Sequence, residues 1–218
     1  MTAEVNGTEL YYEALGSGRP LVMLHGNGED HGIFAEAAGV LSQSYACFLP
    51  DSRGHGKSPY RGPLHYEDMA RDVIELIEKL ELRDVILYGF SDGGIVGLLA
   101  AARCSRITAL IVSGANIAPE GLKPGLRLLF CIMYLFKKDP KLRLMLDEPH
   151  ITPGVLRGIS AKTLVLTGSR DLIRKKHTRQ IAEAIPGARL QILKGEGHGT
   201  YIIHSTLIAG LIKEFVEE

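Results

Sequence analysis

Apolar positions along this chain fall into two alternating kinds. Short runs of five or six residues read as strands: Pro20–Leu24, Tyr45–Leu49, Asp84–Tyr88, Ile107–Val112, Lys162–Leu166 and Arg189–Leu193. Between them the spacing turns helical. From Tyr66 to Leu80, the residues Met69, Val73, Leu76 and Leu80 recur at intervals of four, three and four, which is one face of a helix. Phe34–Leu41, Thr178–Ile185 (stopped by Pro186-Gly187) and a closing stretch, Tyr201–Val216, also predict helices. Ile95–Ala102 is apolar all round and rich in Ala and Leu, so it predicts a buried helix. Near the start, Asn6-Gly7 separates Thr2–Val5 from Glu9–Leu15, a hairpin signal. Strands alternating with helices predict an α/β fold with a mainly parallel central sheet and helices on both faces.

One segment breaks the alternation. Between Asn116 and Gly158 no strand pattern occurs, and two helical pieces are expected, Leu126–Lys137 and Pro140–Leu146. The chain therefore divides into a core, residues 1–115 and 159–218, and a short helical cap insertion, residues 116–158. The first cap helix is apolar nearly all round and needs a cover. It is expected to close a substrate pocket, with Phe130 and Phe136 binding substrate, or to form the seam of a homodimer. An ordinary core helix fits the same pattern.

Composition narrows the function classes. Lysines and arginines balance aspartates and glutamates at 25 each, with no basic block, so no nucleic-acid partner is expected. The longest apolar stretch, Leu126–Phe136, contains Arg127 and is too short to span a bilayer, so no membrane association is expected. The first residues lack a basic start and an apolar core, so no secretory signal is expected. Cys47, Cys104 and Cys131 are scattered and odd in number, which argues against a disulfide framework or a zinc site and for buried thiols in a reducing, cytoplasmic setting.

The candidate chemistry centres on Gly89-Phe90-Ser91-Asp92-Gly93, a Gly-x-Ser-x-Gly sequence between a predicted strand and a predicted helix. That context makes Ser91 a candidate nucleophile on a tight turn. The competing reading is a glycine-rich turn in which Ser91 caps the helix. A serine hydroxyl needs a base, and imidazole is suited to take its proton and return it to a leaving group.

Four further stretches accompany the elbow: His25-Gly26-Asn27-Gly28, Asp51-Ser52-Arg53-Gly54-His55-Gly56-Lys57-Ser58, Gly168-Ser169-Arg170-Asp171 and Gly197-His198. Together the five resemble the α/β-hydrolase family over nearly the whole chain outside the cap. The resemblance implies a triad of Ser91, Asp171 and His198, in the family's chain order, and an oxyanion hole formed by the backbone N–H groups of Asn27 and Asp92. It implies no metal and no organic cofactor. His25 is expected to be structural, and Asp51, Arg53, His55 and Ser58 to knit a loop, with Asp51 paired to Arg53. Only 80 positions separate Ser91 from Asp171, which resembles a member with a shortened cap. The Ser-Asp-Gly-Gly turn is similar to that of valacyclovirase-type hydrolases, where the aspartate holds a substrate amine; Asp92 could bind a cation or merely cap the helix. The expected function is hydrolysis of small carboxylic esters through an acyl-enzyme. Acyl transfer, a hydroxynitrile lyase-like reaction, and a ligand-binding receptor without turnover are the alternatives.

Overall fold

Asn6 and Gly7 adopt φ of 42° and 72°, as a two-residue hairpin turn requires. They join β1 (Thr2–Val5) to β2 (Thr8–Leu15) in antiparallel register. The computed structural model describes residues 1–218. In chain order there follow β3 (Arg19–Leu24), α1 (Ala35–Leu41), β4 (Tyr45–Pro50), α2 (Tyr66–Lys79), β5 (Val85–Phe90), α3 (Asp92–Ala101) and β6 (Ile107–Ser113). Next come α4 (Pro124–Lys137), α5 (Pro140–Asp147), α6 (Pro153–Arg157), β7 (Lys162–Gly168), α7 (Lys175–Ala184), β8 (Arg189–Leu193) and α8 (Leu207–Glu217). The eight strands form one sheet in the order β1-β2-β4-β3-β5-β6-β7-β8. From β4 through β8 every pairing is parallel.

Side chains alternate along the central strands and build a core on each face, as the two-residue period of a strand dictates. Val22, Leu24, Leu87, Leu110 and Val112 pack with α2 and α3. Leu21, Met23, Ile86, Tyr88 and Ile111 pack with α1 and α8. Helix α3 is buried along its whole length, because it lies between the sheet and α2.

Three expectations change. The closing helix begins at Leu207, not Tyr201: His204 has φ of 49°, which interrupts a helix, and Tyr201 and Ile202 instead turn inward and are fully buried. The insertion holds a third helix, α6, too short to show a period; Thr152 caps it and Pro153 starts it. Finally, α4 has no buried residue, although its sequence asks for cover on every side. Of the three thiols, Cys47 and Cys104 are buried as expected, whereas Cys131 on α4 is exposed.

Candidate active site

The carboxyl ends of β5, β7 and β8 meet at one edge of the sheet, and each delivers one polar side chain. Ser91 lies between β5 and α3 with φ 53° and ψ −115°, a conformation that strains a residue bearing a Cβ by about 1–3 kcal/mol. Its N–H donates to Ser113 O at 2.8 Å, and its carbonyl accepts from Gly94 and Ile95. The turn closes so tightly that a Cβ on Gly89 would lie 2.2 Å from Gly93 O, and one on Gly93 would lie 2.2 Å from Leu24 O. The two glycines thus allow the backbone approach that pushes the serine out.

Asp171 follows β7 and is buried. Its Oδ1 accepts from Ile173 N–H at 2.8 Å and its Oδ2 from the Thr167 hydroxyl at 3.2 Å. Burial pushes this carboxyl up, but the His198 hydrogen bond and charge, with the two other donors, outweigh it and leave the pKa below the usual 3.8. Asp171 is therefore an ionised acceptor. His198 Nδ1 lies 2.7 Å from Asp171 Oδ1, and its Nε2 lies 3.0 Å from Ser91 Oγ. Because the carboxylate only accepts, Nδ1 carries the proton; in the neutral ring Nε2 is then free to accept from the serine hydroxyl.

His25 is tied down on both sides. Its Nε2 accepts from Ser52 N–H at 3.0 Å, which leaves Nδ1–H to donate to Gly26 O at 2.8 Å. Burial lowers its pKa, in keeping with a neutral structural ring. The loop it anchors carries Asn27, whose backbone N–H donates to no protein acceptor; the N–H of Asp92 is likewise free. Both residues line the same cavity as Ser91.

The Asp92 carboxylate makes no bond to the first amides of α3, so it does not cap the helix. Its Oδ2 accepts from Asn27 Nδ2 at 2.8 Å, and Asn27 Nδ2 also reaches Lys141 O at 3.2 Å, which links the cap to the loop. Burial raises the Asp92 carboxyl from 3.8 to about 6, against the opposing pull of Asn27, Tyr66 and His198. The Tyr66 hydroxyl is buried without a well-formed hydrogen bond, yet its dipole acts on that carboxylate.

A cavity of about 160 Å³ opens over Ser91 and His198. Leu126 and Phe130, one turn apart on α4, form part of its wall. Phe136 does not belong to the wall and is 84% exposed. Six helical residues rotate it about 240° from Phe130, so the two rings face different ways. Glu29, Tyr66, Asn116 and Glu148 line the cavity as well, and none was singled out from the sequence. The Glu29 Oε2 accepts from Gly26 N–H at 2.9 Å, and burial raises its carboxyl. Its signal was an acid four positions after His25 in the glycine loop. Glu148 lies 57 positions beyond Ser91, between α5 and α6 of the cap, where nothing local marks it. The lining holds three carboxyl groups, Glu29, Asp92 and Glu148, and no lysine or arginine.

The loop after β4 is knitted differently from the expected Asp51–Arg53 pair. Asp51 Oδ1 takes His31 N–H at 2.8 Å and its Oδ2 takes Lys57 N–H at 2.8 Å, so both oxygens are occupied. Arg53 instead pairs with Asp72 of α2, its Nε at 2.6 Å. Asp30, His31 and Asp51 bring ligand-type atoms within 4.8 Å of one another. His31 Nδ1 already lies 2.7 Å from Asp51 Oδ1, so this cluster closes on itself as a loop tie.

Fold and site define a class. The α/β-hydrolase-fold family model matches residues 19–149, and the chain belongs to that family. Among curated relatives, the serine hydrolase BPHL of Mus musculus is 26% identical over 98% of this chain and 84% of its own length. The AB hydrolase superfamily protein YisY of Bacillus subtilis is 28% identical over 94% of each. Among solved structures, a bromoperoxidase from Bacillus anthracis superposes with a TM-score of 0.87 at 21% identity, covering 100% of this chain and 99% of that one. Hydrolase is the enzyme class that the family and the two curated relatives support, and the solved structure supports the fold.

Proposed function

We propose that this protein is a serine hydrolase that cleaves small carboxylic esters through an acyl-enzyme. The observation that carries this reading is the continuous line of hydrogen bonds from Asp171 through His198 to Ser91 on a strained elbow. In the proposed reaction His198 Nε2 takes the hydroxyl proton as Ser91 Oγ attacks the ester carbonyl. The carbonyl oxygen becomes an oxyanion and receives the free N–H groups of Asn27 and Asp92. The imidazolium, held by ionised Asp171, returns its proton to the departing alcohol. Water then enters and gives a proton to His198 as it attacks the acyl carbon; the bond from that carbon to Ser91 Oγ breaks, the imidazolium returns its proton to Oγ, and the acid leaves. Each step uses only this chain's groups and water.

The same reading extends to substrate charge. A cavity with three carboxyl groups and no lysine or arginine favours a substrate carrying a cation near its scissile carbonyl, and Asp92 is the carboxylate adjoining Ser91. We assign the protein to a reducing, cytoplasmic compartment on its free thiols. A fluorophosphonate probe tests the core of the proposal: the protein should label, Ser91→Ala should abolish labelling and hydrolysis of a short p-nitrophenyl ester, and the variant should melt like the parent. Labelling that persists in Ser91→Ala would refute the assignment.

A further inference from the structure

Helix α4 presents apolar residues on two sides. Leu126 and Phe130 face the cavity. Leu128, Leu129, Ile132, Leu135 and Phe136 form a second stripe, at helical spacing, that is exposed to solvent. Within that stripe Leu135 is 64% exposed and Phe136 is 84% exposed. Side chains of this size on one outward face mark a docking surface.

The charges around the stripe identify what it docks on. The chain is neutral overall, yet residues 119–147 carry six lysines and arginines against three aspartates and glutamates. Each of those three acids is engaged locally. Glu120 faces Arg127 at 3.7 Å, Asp147 faces Arg143 at 3.1 Å, and Asp139 caps α5 by accepting from Lys141 N–H. Lys123 precedes the helix at one end and Lys137 and Lys138 close it at the other, all exposed. Arg174, at the start of α7, shares a groove with Arg127, Leu128 and Cys131, and Lys175 and Lys176 follow it, also exposed. Cations therefore flank the apolar stripe at both ends.

The expectation of no membrane association rests on a stretch too short to span a bilayer, which leaves interfacial docking open, and we propose that the outer face of α4 docks the protein on an anionic lipid surface. A helix lying in the interfacial plane needs this arrangement: aliphatic and aromatic side chains entering the acyl boundary, with lysines and arginines at the level of the phosphates. A second copy of the chain fits poorly. With cations at both ends of the stripe, parallel and antiparallel pairing of two such helices each set cations against cations. One third of the surface of a 14-residue helix is also roughly 200–250 Å², well short of the about 800 Å² per partner of a stable interface. Docking would lay lipid against the outside of the helix whose inner side walls the cavity.

The test is co-sedimentation of the full chain with vesicles. Binding to mixed phosphatidylcholine–phosphatidylglycerol vesicles should exceed binding to pure phosphatidylcholine by roughly tenfold or more, and about 0.5 M salt should remove the difference. The double variants Leu135→Ser/Phe136→Ser and Lys137→Glu/Lys138→Glu should each lose most of the binding, while hydrolysis of a short soluble ester stays unchanged. The charge-reversal pair stands in if the serine pair melts early. Absence of binding, or equal binding to both vesicle types, overturns the proposal. So does a dimer in sedimentation velocity that Phe136→Ser dissociates, because the stripe would then belong to a second copy.

Discussion

Asp92 is buried one residue beyond Ser91, with its N–H free and its carboxylate bonded to the Asn27 amide. Folding and the proposed chemistry place opposite demands on it. Burial raises its carboxyl to about 6 in the folded protein, against 3.8 for an ordinary aspartate. The folded state thus holds this proton more tightly than the unfolded chain. The group favours folding most below pH 3.8, and that contribution disappears as the pH rises through about 6. The difference between the two pKa values is worth on the order of 3 kcal/mol. Asp92→Asn removes the buried charge, keeps an oxygen for Asn27, and offers the Tyr66 hydroxyl a donor. Urea unfolding should therefore show the variant more stable than the parent at pH 8, by up to a few kcal/mol, and nearly equal to it at pH 4. An equal gain at both pH values would mean that the carboxyl is not the destabilising group. In kinetics, the ionised form is the one that would hold an ammonium. The preference for aminoacyl over neutral acyl esters should grow through pH 6 in the parent and be absent in Asp92→Asn, a loss of roughly 10- to 150-fold if one charge-assisted hydrogen bond is at stake. An acid immediately after the elbow serine was conspicuous in the sequence. Its burial was not, because that depends on Tyr66 and Asn27, which lie 26 and 65 positions away in the chain.

Among the elements, α3 and α4 make an instructive pair, since both are apolar all round. The first is buried to the last residue and the second buries none. Periodicity reports how much apolar surface a helix carries, and it leaves open whether the chain itself provides the cover. The start of α8 departs from the periodic pattern for a related reason: Tyr201 and Ile202 are as apolar as the helix that follows, but the left-handed His204 separates them from it. The two cap phenylalanines test the sidedness of α4. Phe130→Asp puts a charge into the cavity wall and should raise KM for longer acyl esters by about tenfold or more, in line with the 1–3 kcal/mol that one methylene or more in an apolar pocket is worth. Phe136→Asp alters only the outer face and should leave soluble-ester kinetics unchanged. Equal effects of the two substitutions would contradict the sidedness of the helix. At the elbow, Gly93→Ala should destabilise by several kcal/mol or prevent folding, because the new methyl would sit 2.2 Å from the Leu24 carbonyl oxygen, a backbone atom of β3. A melting curve like that of the parent would show that β3 can yield there.

Across the whole molecule, the arrangement of the sheet explains why the candidate triad could be read from linear order while the pocket could not. Ser91, Asp171 and His198 each follow a strand, and β5, β7 and β8 run parallel in one sheet, so three loops far apart in sequence are bound to open at the same edge. Strand patterns are local signals and were sufficient for the sheet, whereas Asp171 and His198 became candidates beside Ser91 only through the resemblance of their loops and chain order to the α/β-hydrolase family. The cavity wall is assembled from the cap, the glycine loop and α2 together, and Glu29, Tyr66 and Glu148 come into register only through tertiary packing. Stability should follow the same division. The central strands lie between two cores of fully buried side chains, so their amides should open only with global unfolding. Helix α4 contributes no buried residue to either core, and its only extensive helix partner is α5, so it can detach without disturbing the sheet. Hydrogen–deuterium exchange followed by mass spectrometry should then find peptides from Pro124–Lys137 exchanging orders of magnitude faster than those from Val85–Phe90 and Ile107–Ser113, which should match one another. Anionic vesicles should slow exchange in α4 and leave the strands as they were, since contact on the outer stripe protects the helix without reaching the core. Exchange in α4 as slow as in β5, with no vesicles present, would mean that its outer face is already covered in solution.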